Sequence, residues 1–209
     1  DGHAVLCLTV HHIATDGESQ GIIVRDLAAA YDAAGAPGRA PWPAPPALQY
    51  ADHAVWQHAR VASGALDASL DAWAARLEPL PEPIELPALR PRPASVSGLG
   101  ADVVVTTGPA LAARVETFAR ANGTTTFAVL LATYQLLLHR ITERTDITVG
   151  IPVTERTLDA DADTVGFFVN TVPVRTDLSA AATAGDALRA VQTSLLHAIE
   201  HAEVPFDLV

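Results

Sequence analysis

The stretch Val10-His11-His12-Ile13-Ala14-Thr15-Asp16-Gly17-Glu18-Ser19 lies between two segments of different period. Before it runs Ala4-Val5-Leu6-Cys7-Leu8-Thr9-Val10, which is apolar, partly β-branched and of strand length, and predicts a buried strand. After it, Ile22, Ile23, Leu27 and Tyr31 recur at helical spacing until Gly35 and Pro37 stop the pattern. Two adjacent histidines, an acid and a glycine therefore fall where a strand hands over to a helix. A loop so placed presents side chains while its flanking elements hold them rigid, which suits catalysis.

A chain of 209 residues can bury a sizeable core, as one domain or as two modest lobes. Apolar residues at 49% and charged residues at 18% exclude a disordered chain. No run reaches the roughly eighteen apolar residues of a membrane span, and no signal-peptide pattern opens the sequence. Neither membrane nor secretion is expected. The single cysteine, Cys7, reads as a small core residue of the predicted strand, in a reducing, cytoplasmic setting. A formal charge of −11 argues against nucleic acid, whose binding rests on neutralising phosphates. Methionine is absent, so Asp1 is expected to be a cut end, and Val209, with no stop signal before it, a second one.

Prolines 37, 41, 43, 45 and 46 end the first helix, and a lobe boundary is expected there, dividing residues 1–44 from 45–209. A helix should follow over Leu48–Gln57. Another carries Leu66, Leu70, Trp73 and Leu77 on one face and stops at Pro79. The proline-rich segment 79–93, with Arg90 and Arg92, can only be extended. Ala101–Thr107 predicts a strand, and Pro109 opens a helix that ends at Asn122-Gly123. Thr124 or Thr125 caps a very apolar helix through Phe127, Leu130, Leu131, Tyr134, Leu137 and Leu138, expected to be buried on most faces. Strands over Asp146–Val153 and Phe167–Arg175 flank an acidic loop with Asp159, Asp161 and Asp163. Thr183-Ala184-Gly185-Asp186 has the form of a capping box, before a helix aligning Leu188, Val191, Leu195 and Ile199. The whole is α/β, layered in the α+β sense, and no Gly-rich phosphate loop is present.

The stretch has the form H-H-x-x-x-D-G, and with it the chain resembles the condensation domains of nonribosomal peptide synthetases, of chloramphenicol-acetyltransferase-like fold. Further segments carry the resemblance in order. Tyr50-Ala51-Asp52-His53-Ala54-Val55-Trp56 is similar to the family's Y-x-D-Y-A-x-W, with His53 where tyrosine is usual. Gly150-Ile151-Pro152-Val153-Thr154-Glu155-Arg156 is similar to G-x-P-x-x-x-R, and Gly166-Phe167-Phe168-Val169-Asn170-Thr171 to G-x-F-x-N-T. His201-Ala202-Glu203-Val204-Pro205-Phe206 resembles H-Q-x-V-P-F, with Ala202 for glutamine. The resemblance implies the end of a first lobe (residues 1–44) plus most of a second (45–209). An active site between two lobes would leave the isolated chain inactive.

The resemblance implies amide formation: the amine of one carrier-bound aminoacyl thioester attacks the carbonyl of another. Both substrates would ride on phosphopantetheine arms of donor and acceptor carrier proteins, beside an adenylation domain, and this chain itself would bind no cofactor. Carrier proteins of that kind are acidic, so docking should use local arginine surfaces. His12, the second motif histidine, is the candidate to position the amine and take its proton. His11 reads as a hydrogen-bonded loop residue. Asp16 could orient His12, but a buried carboxylate needs a cation, and the family pattern suggests Arg156. Gly17 offers its N–H to an oxyanion or simply permits a tight turn. Ser19 and Asn170 are expected along the substrate tunnel, Asn170 fixing a strand junction there. Ser19 lacks the context of a nucleophile elbow. No metal is expected, because adjacent histidines on an extended chain point to opposite sides. An epimerisation domain shares the motif, and a catalytically silent docking domain typically loses the second histidine. His12 is intact.

Overall fold

The computed structural model describes residues 4–35, 45–88, 93–95, 97–156 and 161–209. In chain order these form α1 (Gly17–Gly35), α2 (Tyr50–Ala62), α3 (Asp67–Leu77), α4 (Pro109–Ala121), α5 (Thr126–Thr142), β1 (Asp146–Thr154), β2 (Val169–Asp177) and α6 (Ala184–Glu200). Short 3-10 turns lie at His12–Ala14 and Phe206–Leu208. β1 and β2 pair in a two-stranded sheet. Bonds from Glu155 N to Phe168 O and from Leu178 N to Thr145 O close its two ends, which makes the pair antiparallel.

The chain groups into two compact units. The first comprises Asp1–Ala72, Pro152–Thr171 and Ala202–Val209, and the second Trp73–Ile151 and Val172–His201. Residues on both sides of the expected 44/45 division thus fall in one unit. Pro37, Pro41, Pro43 and Ala44 lie outside the described residues, as do Arg90, Arg92 and Asp159.

In the second unit the cues for helix ends act as read. Pro109 opens α4, and Gly123, at φ +61°, follows its C-cap Asn122. Thr125 caps α5 by accepting from Ala128 N. Thr183 and Asp186 exchange capping-box bonds at the start of α6. α5 packs on α4 and α6. Leu138, Ile147, Leu178 and Ala187 form a core cluster. Buried Gln135 donates to Val174 O, and Trp73, 1% exposed, donates from Nε1 to His201 O.

Several expectations are corrected. Ala4–Val10 forms no strand and is exposed, Val5 at 96% and Cys7 with it. Ala101–Thr107 is likewise irregular and exposed. A strand is a partnership, and among the described residues neither segment has a neighbour to complete its backbone bonds. α5 buries Ala128, Leu131, Ala132, Gln135 and Leu138, whereas Phe127, Leu130, Tyr134 and Leu137 remain about half exposed. Ile199 is exposed too. β2 starts at Val169 and not at Phe167, because side chains of the first unit take the backbone bonds of 166–168.

The α6 cap is a local test of this reading. Thr183→Ala removes the acceptor of Asp186 N and should cost about 1 kcal/mol, seen as a lowered denaturation midpoint with an unchanged m-value.

Candidate functional site

All the singled-out residues lie in the first unit. Asp16 precedes α1, and its Oδ1 accepts from Ser19 N at 2.7 Å, the bond of an N-cap acid to the third helical residue. The same carboxylate is nearly buried, at 3% exposure, and meets the buried guanidinium of Arg156. Arg156 Nη2 donates to Asp16 Oδ1 at 3.1 Å, to Oδ2 at 3.2 Å and to Ser19 Oγ at 2.9 Å. Its Nη1 donates to Asp161 O and Thr164 O. The guanidinium lies over the Phe168 ring, 4.1 Å from the centroid. Phe168 N donates to Asp16 Oδ2. Burial pushes the Asp16 carboxyl up, but hydrogen bonds from Ser19, Arg156 and Phe168 outweigh it and bring the pKa down to about 2.

Ser19 is fully buried. Its Oγ donates to Gly166 O and accepts from Gly166 N and Arg156. The hydroxyl is therefore saturated within the protein, and the expectation that it lines a tunnel is corrected. Gly166 allows no side chain: a Cβ there would lie 2.3 Å from Tyr50 Cδ2 and 2.9 Å from Phe168 Cε2. Tyr50 cannot yield freely, since its hydroxyl donates to Phe167 O.

The two histidines differ. His11 Nδ1 accepts from Ile13 N at 3.1 Å and caps the short turn His12–Ala14, as suits a hydrogen-bonded loop residue. His12 Nδ1 lies 2.7 Å from Thr15 O. A carbonyl only accepts, so Nδ1 of His12 is assigned the proton, and in the neutral ring Nε2 then holds the lone pair. The His12 ring also meets Phe167 edge-to-face, with centroids 5.1 Å apart.

Gly17 opens α1, where its N–H has no intrahelical partner to bond. Its φ is not positive, and space for a Cβ is open. The tight-turn account of Gly17 therefore does not hold. Asn170 is buried; its Nδ2 donates to Ala202 O and Val204 O, and its Oδ1 accepts from Thr171 N and Phe206 N. It fastens the start of β2 to segment 202–206.

Thr15, Phe167 and Tyr50 had no role assigned from sequence, although Tyr50 and Phe167 stand in motif segments. His53 is buried among Tyr50, Trp56 and Phe168, with Nε2 3.8 Å from Glu155. Burial raises the Glu155 carboxyl, and His53 and Gln57 oppose the rise. Among the described residues, no group of His, Cys, Asp and Glu is placed to hold a metal, and no helix is long and apolar enough to cross a membrane.

The mixed helix-and-sheet fold is that of solved condensation domains, which have the chloramphenicol-acetyltransferase-like fold. Within that fold class the chain belongs to the condensation-domain family of nonribosomal peptide synthetases, whose family model, "Condensation domain", matches residues 1–209. It is 39% identical over 206 residues to a linear gramicidin synthase of Brevibacillus parabrevis, covering 97% of this chain and 3% of that protein. Among solved structures, the X-domain from teicoplanin biosynthesis superposes with a TM-score of 0.86 at 34% identity, over 95% of this chain and 45% of that one. The first condensation domain of the CDA synthetase shares the fold, with a TM-score of 0.75 at 24% identity, over 95% and 43% of the two chains. The chain thus spans less than half of these solved domains, and a small part of the gramicidin synthase.

Two substitutions, the second with a compensating change, test the network. Asp16→Asn strands Arg156 and should cost about 3–5 kcal/mol at pH 7. Because the folded pKa is depressed, the carboxylate's contribution is present above 3.8 and is lost as pH falls towards about 2. The stability gap between wild type and variant, read from urea midpoints, should narrow over that window. Gly166→Ala should lower the melting temperature, since the added methyl displaces a hydroxyl-anchored Tyr50 ring; Tyr50→Ala in the same chain should relieve part of the loss.

Proposed function

We propose that this chain takes part in amide-bond formation between two carrier-bound thioesters. The acceptor's amine nitrogen attacks the donor's thioester carbonyl, the resulting tetrahedral oxyanion collapses, and the donor's phosphopantetheine thiol leaves with the proton. The peptidyl thioester that remains on the acceptor carrier is longer by the donor group. An adenylation domain would charge the carriers.

The observation that carries this reading is the 2.7 Å contact of His12 Nδ1 with Thr15 O, which assigns the tautomer of the neutral ring. With Nδ1–H held by Thr15 O, the Nε2 lone pair is left to accept the amine's proton as the C–N bond forms. An α-amino group titrates near pH 8, so at neutral pH roughly a tenth is already uncharged. His12 therefore has only to orient the amine and remove the proton released during attack, a form of help worth about a hundred- to ten-thousand-fold. Gly17 N–H, at the free start of α1, serves as oxyanion donor. His11, Asp16 and Arg156 hold the loop in shape and touch no substrate.

The test is an amide-forming assay with this chain in a complete two-lobed domain, donor and acceptor loaded on carrier proteins. His12→Ala should lower product formation at least a hundredfold with the melting temperature held. Equal rates would remove His12 from the chemistry. Exchange of the donor's α-proton without amide would favour epimerisation, and no reaction in either protein would favour a silent docking domain.

A further inference from the structure

We infer that Phe167 is a positioning residue for His12, and that the buried network exists in part to hold this one ring in place. A single hydrogen bond from Nδ1 to Thr15 O fixes one direction of an exposed imidazole and leaves its plane free to tilt about that bond. The second constraint is the Phe167 ring, 5.1 Å away and turned 86° to the imidazole. Such an edge-to-face contact is directional, so it selects an orientation of the ring as well as filling space.

The backbone beneath Phe167 is held to an unusual degree. Ser19 Oγ takes both the N–H and the carbonyl of Gly166. Tyr50 hydroxyl binds Phe167 O, and Asp16 Oδ2 binds Phe168 N. Three consecutive residues are thus bonded by three side chains, from the start of α1 and from α2. Of the three residues, Gly166 has no side chain and Phe168 is fully buried under Arg156. Phe167 is the one that reaches His12. The Tyr50 hydroxyl acts at one remove, through the Phe167 carbonyl.

Phe167 touches no reacting atom in this arrangement. Its effect is on the fraction of His12 that is both Nδ1-protonated and correctly aimed. A misplacement of about 1 Å in a reacting group can cost on the order of a hundredfold in rate. The kinetic part of this inference rests on the proposed reaction, whereas the tautomer part does not.

The experiment therefore reads the tautomer directly, by nitrogen-15 NMR of the His12 ring in this chain labelled at histidine, above the ring's titration. Wild type should be held in the Nδ1–H form. Phe167→Ala and the bulk-keeping Phe167→Leu should both give a mixture of tautomers, and Phe167→Tyr should restore the wild-type spectrum. Tyr50→Phe should shift the ratio in the same direction by less. A wild-type ratio in both Phe167→Ala and Phe167→Leu would overturn the inference. A wild-type ratio in Phe167→Leu alone would overturn it too, since volume and not the ring would then suffice; Phe167→Leu also guards against a merely unfolded alanine variant. In the amide-forming assay of the complete domain, kcat should fall tenfold or more in Phe167→Leu with KM for both carriers unchanged. A shifted tautomer with unaltered kcat would leave Phe167 as positioning residue and remove His12 as base.

Discussion

The buried pair of Asp16 and Arg156 is the interaction on which the site depends. Two charges taken out of water are costly, and the attraction between them repays the cost only when their remaining hydrogen-bonding capacity is used. Here it is. The carboxylate accepts from Ser19 N, Phe168 N and Arg156, and the guanidinium donates to two carbonyls, a hydroxyl and the carboxylate while covering an aromatic face. A buried network with most of its partners in place rigidifies what it touches, and the same low dielectric penalises any member left alone. Asp16 cannot be replaced by another good N-cap residue. Serine or asparagine could accept from Ser19 N, but neither would neutralise Arg156.

The pair also explains why the site is made from distant sequence. Asp16 and Arg156 are 140 positions apart, and Ser19 and Gly166 are 147 apart. Closing so long a loop has an entropic cost that local helix formation does not meet, so the His12 loop takes its shape only with the packed segment 161–168 beside it. Asp16 couples the two ends of this arrangement. It starts α1 and thereby fixes the axis along which the Gly17 N–H points. It also binds Phe168 N, and so helps to set the wall against which His12 rests.

What could be read from the sequence follows from how local each signal is. Helix starts at Pro109, Thr125 and Thr183, and the stop at Asn122-Gly123, depend on one turn of chain and were legible. The Asp16–Arg156 pairing came through the family pattern, since nothing in either residue's own neighbourhood points to the other. Ala4–Val10 and Ala101–Thr107 have the composition of strands, but composition reports only a willingness to pair, and neither finds a partner among the described residues. The apolar face of α5 misled in the same way. Its leucines suggested burial all round, whereas only Leu131 and Leu138 of them are buried, together with the polar Gln135, whose amide finds an acceptor in Val174 O. Phe167 was hidden for a different reason: its place is set by three side chains that bond its own backbone and that of its two neighbours.

The motif's two adjacent histidines raise the question of which can act as a base, and position in a pattern gives no physical answer. Hydrogen bonding does. In His11 the Nδ1 lone pair is spent on Ile13 N–H, so the neutral ring has only an N–H at Nε2, and taking a proton would break the bond that caps the His12–Ala14 turn. In His12 the arrangement is reversed: Nδ1–H is spent on Thr15 O and the lone pair at Nε2 is left over. Protonation there would strengthen the existing bond, since an imidazolium is the better donor to a carbonyl. The loop thus makes one histidine a structural acceptor and, in the reaction proposed above, leaves its neighbour as the base, whose hydrogen bond would tighten as it becomes charged. Two identical side chains are given opposite tautomers by one turn of backbone, and that turn keeps its shape because Asp16, at its end, is held by Arg156.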